Sequence, residues 1–78
     1  MKLTPLGANK NEIELGNGTV ILFSYSTPVA ACLNGENGVG FIRTSTKYSV
    51  TTSKHINQWL GGANAQEVDQ SVIDALTV

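Results

Sequence analysis

Thr19-Val20-Ile21-Leu22-Phe23-Ser24-Tyr25-Ser26-Thr27-Pro28-Val29-Ala30-Ala31-Cys32-Leu33 is the stretch on which the fold turns. Odd positions from Ile21 to Leu33 carry the larger apolar side chains, while Ser24, Ser26 and Pro28 fall on even ones. A period of two argues for a half-buried strand. Pro28 has no N–H to give a sheet, so the spacing predicts a kink near Thr27-Pro28 and two pieces, 19–26 and 29–33.

Upstream, Ile13 and Leu15 alternate with Glu12 and Glu14, which predicts a strand over 11–15. A three-residue Gly16–Gly18 loop, with Gly18 in the left-handed region, sets Ile13 opposite Ile21 and joins the apolar faces of both strands. A two-residue loop would set Ile13 opposite Leu22 and split them. Downstream, a five-residue loop over 34–38 places Leu33 opposite Val39 and Ala31 opposite Phe41, in a strand over 39–44. A tight turn at Ser45-Thr46 would add a strand over 46–51, pairing Phe41 with Val50 and Arg43 with Tyr48.

Helical signals follow. Ile56, Trp59 and Leu60 fall at i, i+3, i+4, with Ser53 as the expected N-cap and Gly61 as the left-handed C-cap, a helix over 54–60. Val72, Ile73 and Leu76 share one side of a second helix over 69–76, capped by Asp69. Strands first and helices last read as a single α+β domain, 1–78, of two layers: a small antiparallel sheet of four to five strands and two short helices.

Composition narrows the function. The chain has 78 residues, 14% of them charged, and a net charge of −1; about a quarter charged is usual. Four Lys and one Arg against six acids leave little for non-specific DNA binding, which rests on cations neutralising phosphates. Cys32 has no intrachain partner for a disulfide, and Cys32 with His55 falls short of the roughly four ligands of a zinc site. The uncharged run 19–31 is too short and too hydroxylated to span a bilayer, and Met1-Lys2-Leu3-Thr4-Pro5 lacks the apolar region of a signal peptide. The expectation is a soluble protein of a reducing cytoplasm, without cofactor or membrane partner, in which Cys32 is a small apolar core or half-core residue.

Some residues invite chemistry. Glu12 and Glu14 share a strand face at a spacing that suits a carboxylate pair, but beside a hairpin they read as a solvated outer face. His55 could pair with Cys32, Ser24 or Ser49 as nucleophile and base. No oxyanion-hole or nucleophile-elbow motif accompanies it, and a neutral, hydrogen-bonding His suits a helix start better. Seven of the ten residues from Thr44 to Ser53 are Ser or Thr. Strand propensity and capping account for about half of these. The sharper reading is a polar contact surface, where Arg43, Lys47, Thr52, Ser53, Lys54 and His55 surround the free N–H groups of a helix start and could receive a phosphate or carboxylate. Tyr25, Phe41, Tyr48 and Trp59 could stack bases on an open sheet, yet each lies on the apolar face of its element and reads as core.

Two blocks carry a resemblance: Phe23-Ser24-Tyr25-Ser26-Thr27-Pro28-Val29-Ala30, and Tyr48-Ser49-Val50-Thr51-Thr52-Ser53-Lys54-His55-Ile56-Asn57-Gln58-Trp59-Leu60. Together with the Gly16-Asn17-Gly18-Thr19 turn they resemble a family of short bacteriophage-encoded proteins of unknown function, over about Ile13 to Leu60. The resemblance implies a viral origin and expression in the host bacterial cytoplasm. It brings no catalytic residues, ligand or activity.

The expected function is therefore a non-enzymatic phage accessory protein, a protein-binding or self-assembling module. Its low surface charge and an exposed strand edge make pairing with a protein partner inexpensive. A second strand face, Val20, Leu22, Ala30 and Cys32, needs cover from the C-terminal helices or from a neighbour. The alternative is a nucleic-acid or phosphate binder using the basic and hydroxyl-rich surface at the first helix start.

Overall fold

A computed structural model describes residues 2–7, 9–16, 18–35, 38–62 and 64–77. They form one six-stranded sheet in chain order: β1 (Lys2–Gly7), β2 (Lys10–Glu14), β3 (Val20–Ser24), β4 (Thr27–Gly35), β5 (Gly38–Thr44) and β6 (Gln66–Val68). Helix α1 (Val50–Leu60) lies between β5 and β6 in the chain, and α2 (Gln70–Asp74) runs on into a 3-10 turn, Ala75–Thr77. The first five strands are an antiparallel meander. β6 joins β5 in parallel, a crossover that only an element the size of α1 can supply.

The α+β class stands, and so does the first register. Ile13 lies opposite Ile21, with Gly18 at φ 89°; Asn17 of that loop is outside the described residues. The expected long kinked strand is a hairpin instead. The chain turns at Tyr25-Ser26, Ser24 pairs with Thr27, and Pro28 sits inside β4 next to a bulge. That bulge is Val29: Leu22 opposes Ala30 while Phe23 opposes Pro28, so one residue of β4 is extra. Alternation along β4 changes phase there, which is why the all-odd apolar face does not survive.

β4 and β5 pair one step away from the expected register, with Ala31 opposite Ile42 and Leu33 opposite Gly40. Pairing continues to Gly35 and Gly38, so the connection is shorter than the predicted five residues; Glu36 and Asn37 are outside the described residues. The shift puts Ile42 on the Ala31 face in place of Phe41, which lies on the other face opposite Cys32.

No strand forms over 46–51. The Ser49 hydroxyl accepts the Thr52 N–H at 3.1 Å, which starts α1 at Val50, a turn before the expected Ser53 cap. Gly61 closes α1 as expected, at φ 60°, its N–H bonded to the Asn57 carbonyl. Asp69 stands at the N-cap of α2, although its carboxylate makes no capping bond.

Two strands escape the sequence pattern altogether. β1 carries Pro5 and a bulge between Pro5 and Gly7, and its side chains alternate weakly. β6 has three residues, below the length at which period two is readable.

The core is double, not two-layered as expected. Ile21 and Leu22 are neighbours on β3 and so point to opposite faces. Leu22 packs with Val29, Ala30, Ile56 and Leu60 under α1. Ile21 packs with Ala31, Ile42 and Ile73 under α2. The sheet is thus sandwiched, one helix per face. Each buried Val, Leu or Ile contributes roughly 1.5–3 kcal/mol. The Leu22–Ala30 face that called for cover has it from α1.

Candidate functional site

Polar side chains gather where β3 ends against the first two turns of α1. Ser24 is the last residue of β3 and faces α1 from a position only 2% exposed. Thr52, His55 and Trp59 fall at i, i+3, i+7 on α1 and present one flank to the sheet. The Ser24 hydroxyl lies 2.8 Å from His55 Nδ1 and 3.1 Å from the Thr52 hydroxyl. Ser49 Oγ donates to Thr52 Oγ1 at 3.2 Å. A head-to-tail order satisfies every hydroxyl once: Ser49 gives its proton to Thr52, Thr52 to Ser24, and Ser24 to an unprotonated Nδ1.

The Tyr25 ring stands 6.2 Å from that of His55, tilted by 43°. Tyr25 itself is in the left-handed region, φ 59°, an uncommon place for a bulky L residue. Its N–H is bonded to the carbonyl of Asn9, at 2.7 Å; Asn9 too has positive φ. The β1–β2 and β3–β4 turns are thereby tied together.

Further contacts fix α1 along its length. Trp59 Nε1 donates to Glu12 Oε1 at 2.8 Å and Lys10 Nζ to Gln58 Oε1 at 3.1 Å. On the other flank Arg43 donates to Asn57 Oδ1 at 3.2 Å. Glu12 therefore spends its carboxylate on the helix, while Glu14 is exposed opposite Lys2.

The six residues expected around the helix start divide into separate groups. Thr52 and His55 belong to the buried hydroxyl chain. Lys47 and Ser53 line an open groove of about 340 Å³ with Tyr48, Ser49 and Val50. Arg43 is half-buried and turned toward Asn57, and Lys54 is exposed. The Thr52 N–H is taken by Ser49 Oγ and the Ser53 N–H by the Ser49 carbonyl.

Ser24 beside His55 has the residue types of a nucleophile and its base. At 2% exposure, however, the hydroxyl offers no face to a substrate. The arrangement holds a helix to a sheet. Sequence reasoning named Ser24 among three partners for His55, but only the hairpin at Tyr25-Ser26 brings it there. It missed Leu3 on β1, 60% exposed, because no periodicity marks that strand.

Among the described residues, no group of three His, Cys, Asp or Glu is placed to hold a metal, and no helix is long and apolar enough to cross a membrane. Cys32 is half-buried, opposite Val20 and Phe41.

Fold and site together define a small α+β domain whose main helix is locked onto a central sheet. The chain belongs to DUF8033, a family of unknown function, whose profile matches residues 1–75. That span takes in β1 and α2 as well as the two blocks that meet at Ser24 and His55. No curated protein and no solved structure matches the chain.

Proposed function

We propose that this chain is a non-enzymatic phage accessory protein of the host bacterial cytoplasm, a protein-binding module whose contact element is β1. One observation carries the reading. Ile42, Ala31, Ile21, Ile13 and Leu3 are register partners across five strands and form one apolar row. The row is buried under α2 at Ile42, Ala31 and Ile21, half-buried at Ile13, and open at Leu3, 60% exposed on the sheet's free edge. An edge strand with an apolar residue at its rim is a template for pairing with another chain.

The phosphate-binding alternative has less behind it. Of its six residues only Lys47 and Ser53 line a common groove, and the N–H groups of Thr52 and Ser53 are already bonded.

A photo-crosslinking side chain placed at position 3, with position 50 as control, tests the module. Val50 is 74% exposed and lies away from the edge, so it controls for exposure alone. A discrete heavier adduct is expected from position 3 and not from position 50. No adduct from position 3 in cells expressing the protein would overturn the reading.

A further inference from the structure

Resting on that role for β1, we infer that its partner is a second copy of this chain, the two β1 strands pairing antiparallel about a two-fold axis at Leu3. Backbone direction sets the register. Pro5 has no N–H, and an edge strand accommodates proline with that side of the backbone toward solvent. Leu3, two residues away, shares its orientation, so the Leu3 N–H and C=O are the pair turned outward. A two-fold through Leu3 lets each copy's Leu3 exchange both bonds with the partner's Leu3. Registers that place Pro5 opposite Pro5 or Leu3 lose donors.

Side chains agree on both faces. On the α2 face the row Ile21–Ile13–Leu3 would run on through the partner's Leu3 and the partner's Ile13, removing the one exposed end of an otherwise covered row. On the α1 face Lys2 pairs with Glu14 and Thr4 with Glu12 within one chain. The same axis sets Lys2 opposite the partner's Thr4, with the partner's Glu12 the next strand over. Each lysine then lies between two acids, one from each copy. A net charge of −1 leaves little repulsion between copies. The other sheet edge, β6, has only three residues, so pairing through β1 closes as a dimer instead of growing into a fibre.

Sedimentation equilibrium of the full chain from micromolar to millimolar concentration tests this. A dimer of twice 8.3 kDa is expected. Leu3→Lys should weaken it by about tenfold or more while leaving the circular dichroism spectrum unchanged, and Val50→Lys should leave it intact. Hydrogen exchange on the unsubstituted chain gives a second readout: the Leu3 amide should gain protection with concentration. A monomer throughout the range, an unprotected Leu3 amide in the dimer, or a dimer lost in Val50→Lys but kept in Leu3→Lys overturns the proposal. A monomeric chain whose position 3 still yields an adduct of another mass removes the second copy but leaves the binding role; no adduct of any mass removes both.

Discussion

Ser24 and His55 stand 31 positions apart in the chain and 2.8 Å apart in the fold, hydroxyl to Nδ1. The contact closes a chain of hydroxyls that begins at the cap of α1, so the end of β3 and the start of the helix share one set of protons. Ser24→Ala removes the middle of that chain and leaves the Thr52 hydroxyl and His55 Nδ1 facing a void. The expected loss is about 1–3 kcal/mol, the cost of stranding buried polar groups. Thermal denaturation would show this as a fall of roughly 4–8 °C per kcal/mol in a domain of this size. A loss under about 0.5 kcal/mol would mean that the cluster does not hold the helix.

The two candidate caps of α1 separate cleanly. Ser49 accepts the Thr52 N–H, whereas Ser53 lies inside the helix. Ser49→Ala should cost about 1 kcal/mol. Ser53→Ala should stay within about 0.5 kcal/mol of the parent in urea denaturation. Equal losses would contradict the observed helix start.

At Tyr25 the backbone conformation outweighs the side chain. Left-handed geometry costs an ordinary L residue roughly 1–2 kcal/mol, less for Asn and Gly, and most for a β-branched residue. Tyr25→Gly and Tyr25→Asn are expected to match or exceed the parent stability, and Tyr25→Val to fall below it by about 1 kcal/mol or more. A Val variant as stable as the Asn variant would show that the turn has rearranged.

Strand order and helix placement make the two cores independent. Ile56 lies in the cluster under α1 and Ile73 in the one under α2. Ile56→Val and Ile73→Val should each cost about 0.5–1.5 kcal/mol. Their sum should hold in the double variant to within roughly 0.3–0.5 kcal/mol, since no side chain is shared. A coupling above 1 kcal/mol would mean that the sheet transmits strain between its faces.

How far the chain announces this fold can be read element by element. Ile13 opposite Ile21 was legible because a glycine turn and two alternating segments agree on one answer. The Gly61 cap was legible because only one conformation suits it. The hairpin at Tyr25-Ser26 was hidden: neither residue favours positive φ, and Pro28 two places on drew attention to itself as the breakpoint. β1 and β6 were hidden because strands at a sheet's margin bury too little to impose a pattern. Of the site, His55 as a hydrogen-bonding helix residue was legible. Its union with Ser24 was not, since it depends on where the hidden hairpin turns. Leu3 had no local signal; its interest comes only from the row that ends there.

Val29 sets the reading frame of the sheet. A strand without it would assign side chains to faces by a single odd–even rule from Thr27 to Leu33. With it, Thr27 and Ala30 look toward α1 while Pro28 and Ala31 look toward α2. Deleting Val29 would therefore remove the bulge and leave the frame downstream as it is. With pairing to β3 kept at Ser24–Thr27, Pro28 would still oppose Phe23 and Ala30 would still oppose Leu22, so Ala31 would keep its place beneath α2 in a ladder now regular. At this one position inside a strand the chain can lose a residue and keep every later side chain on its own face; what goes missing is Val29's own place in the cluster under α1.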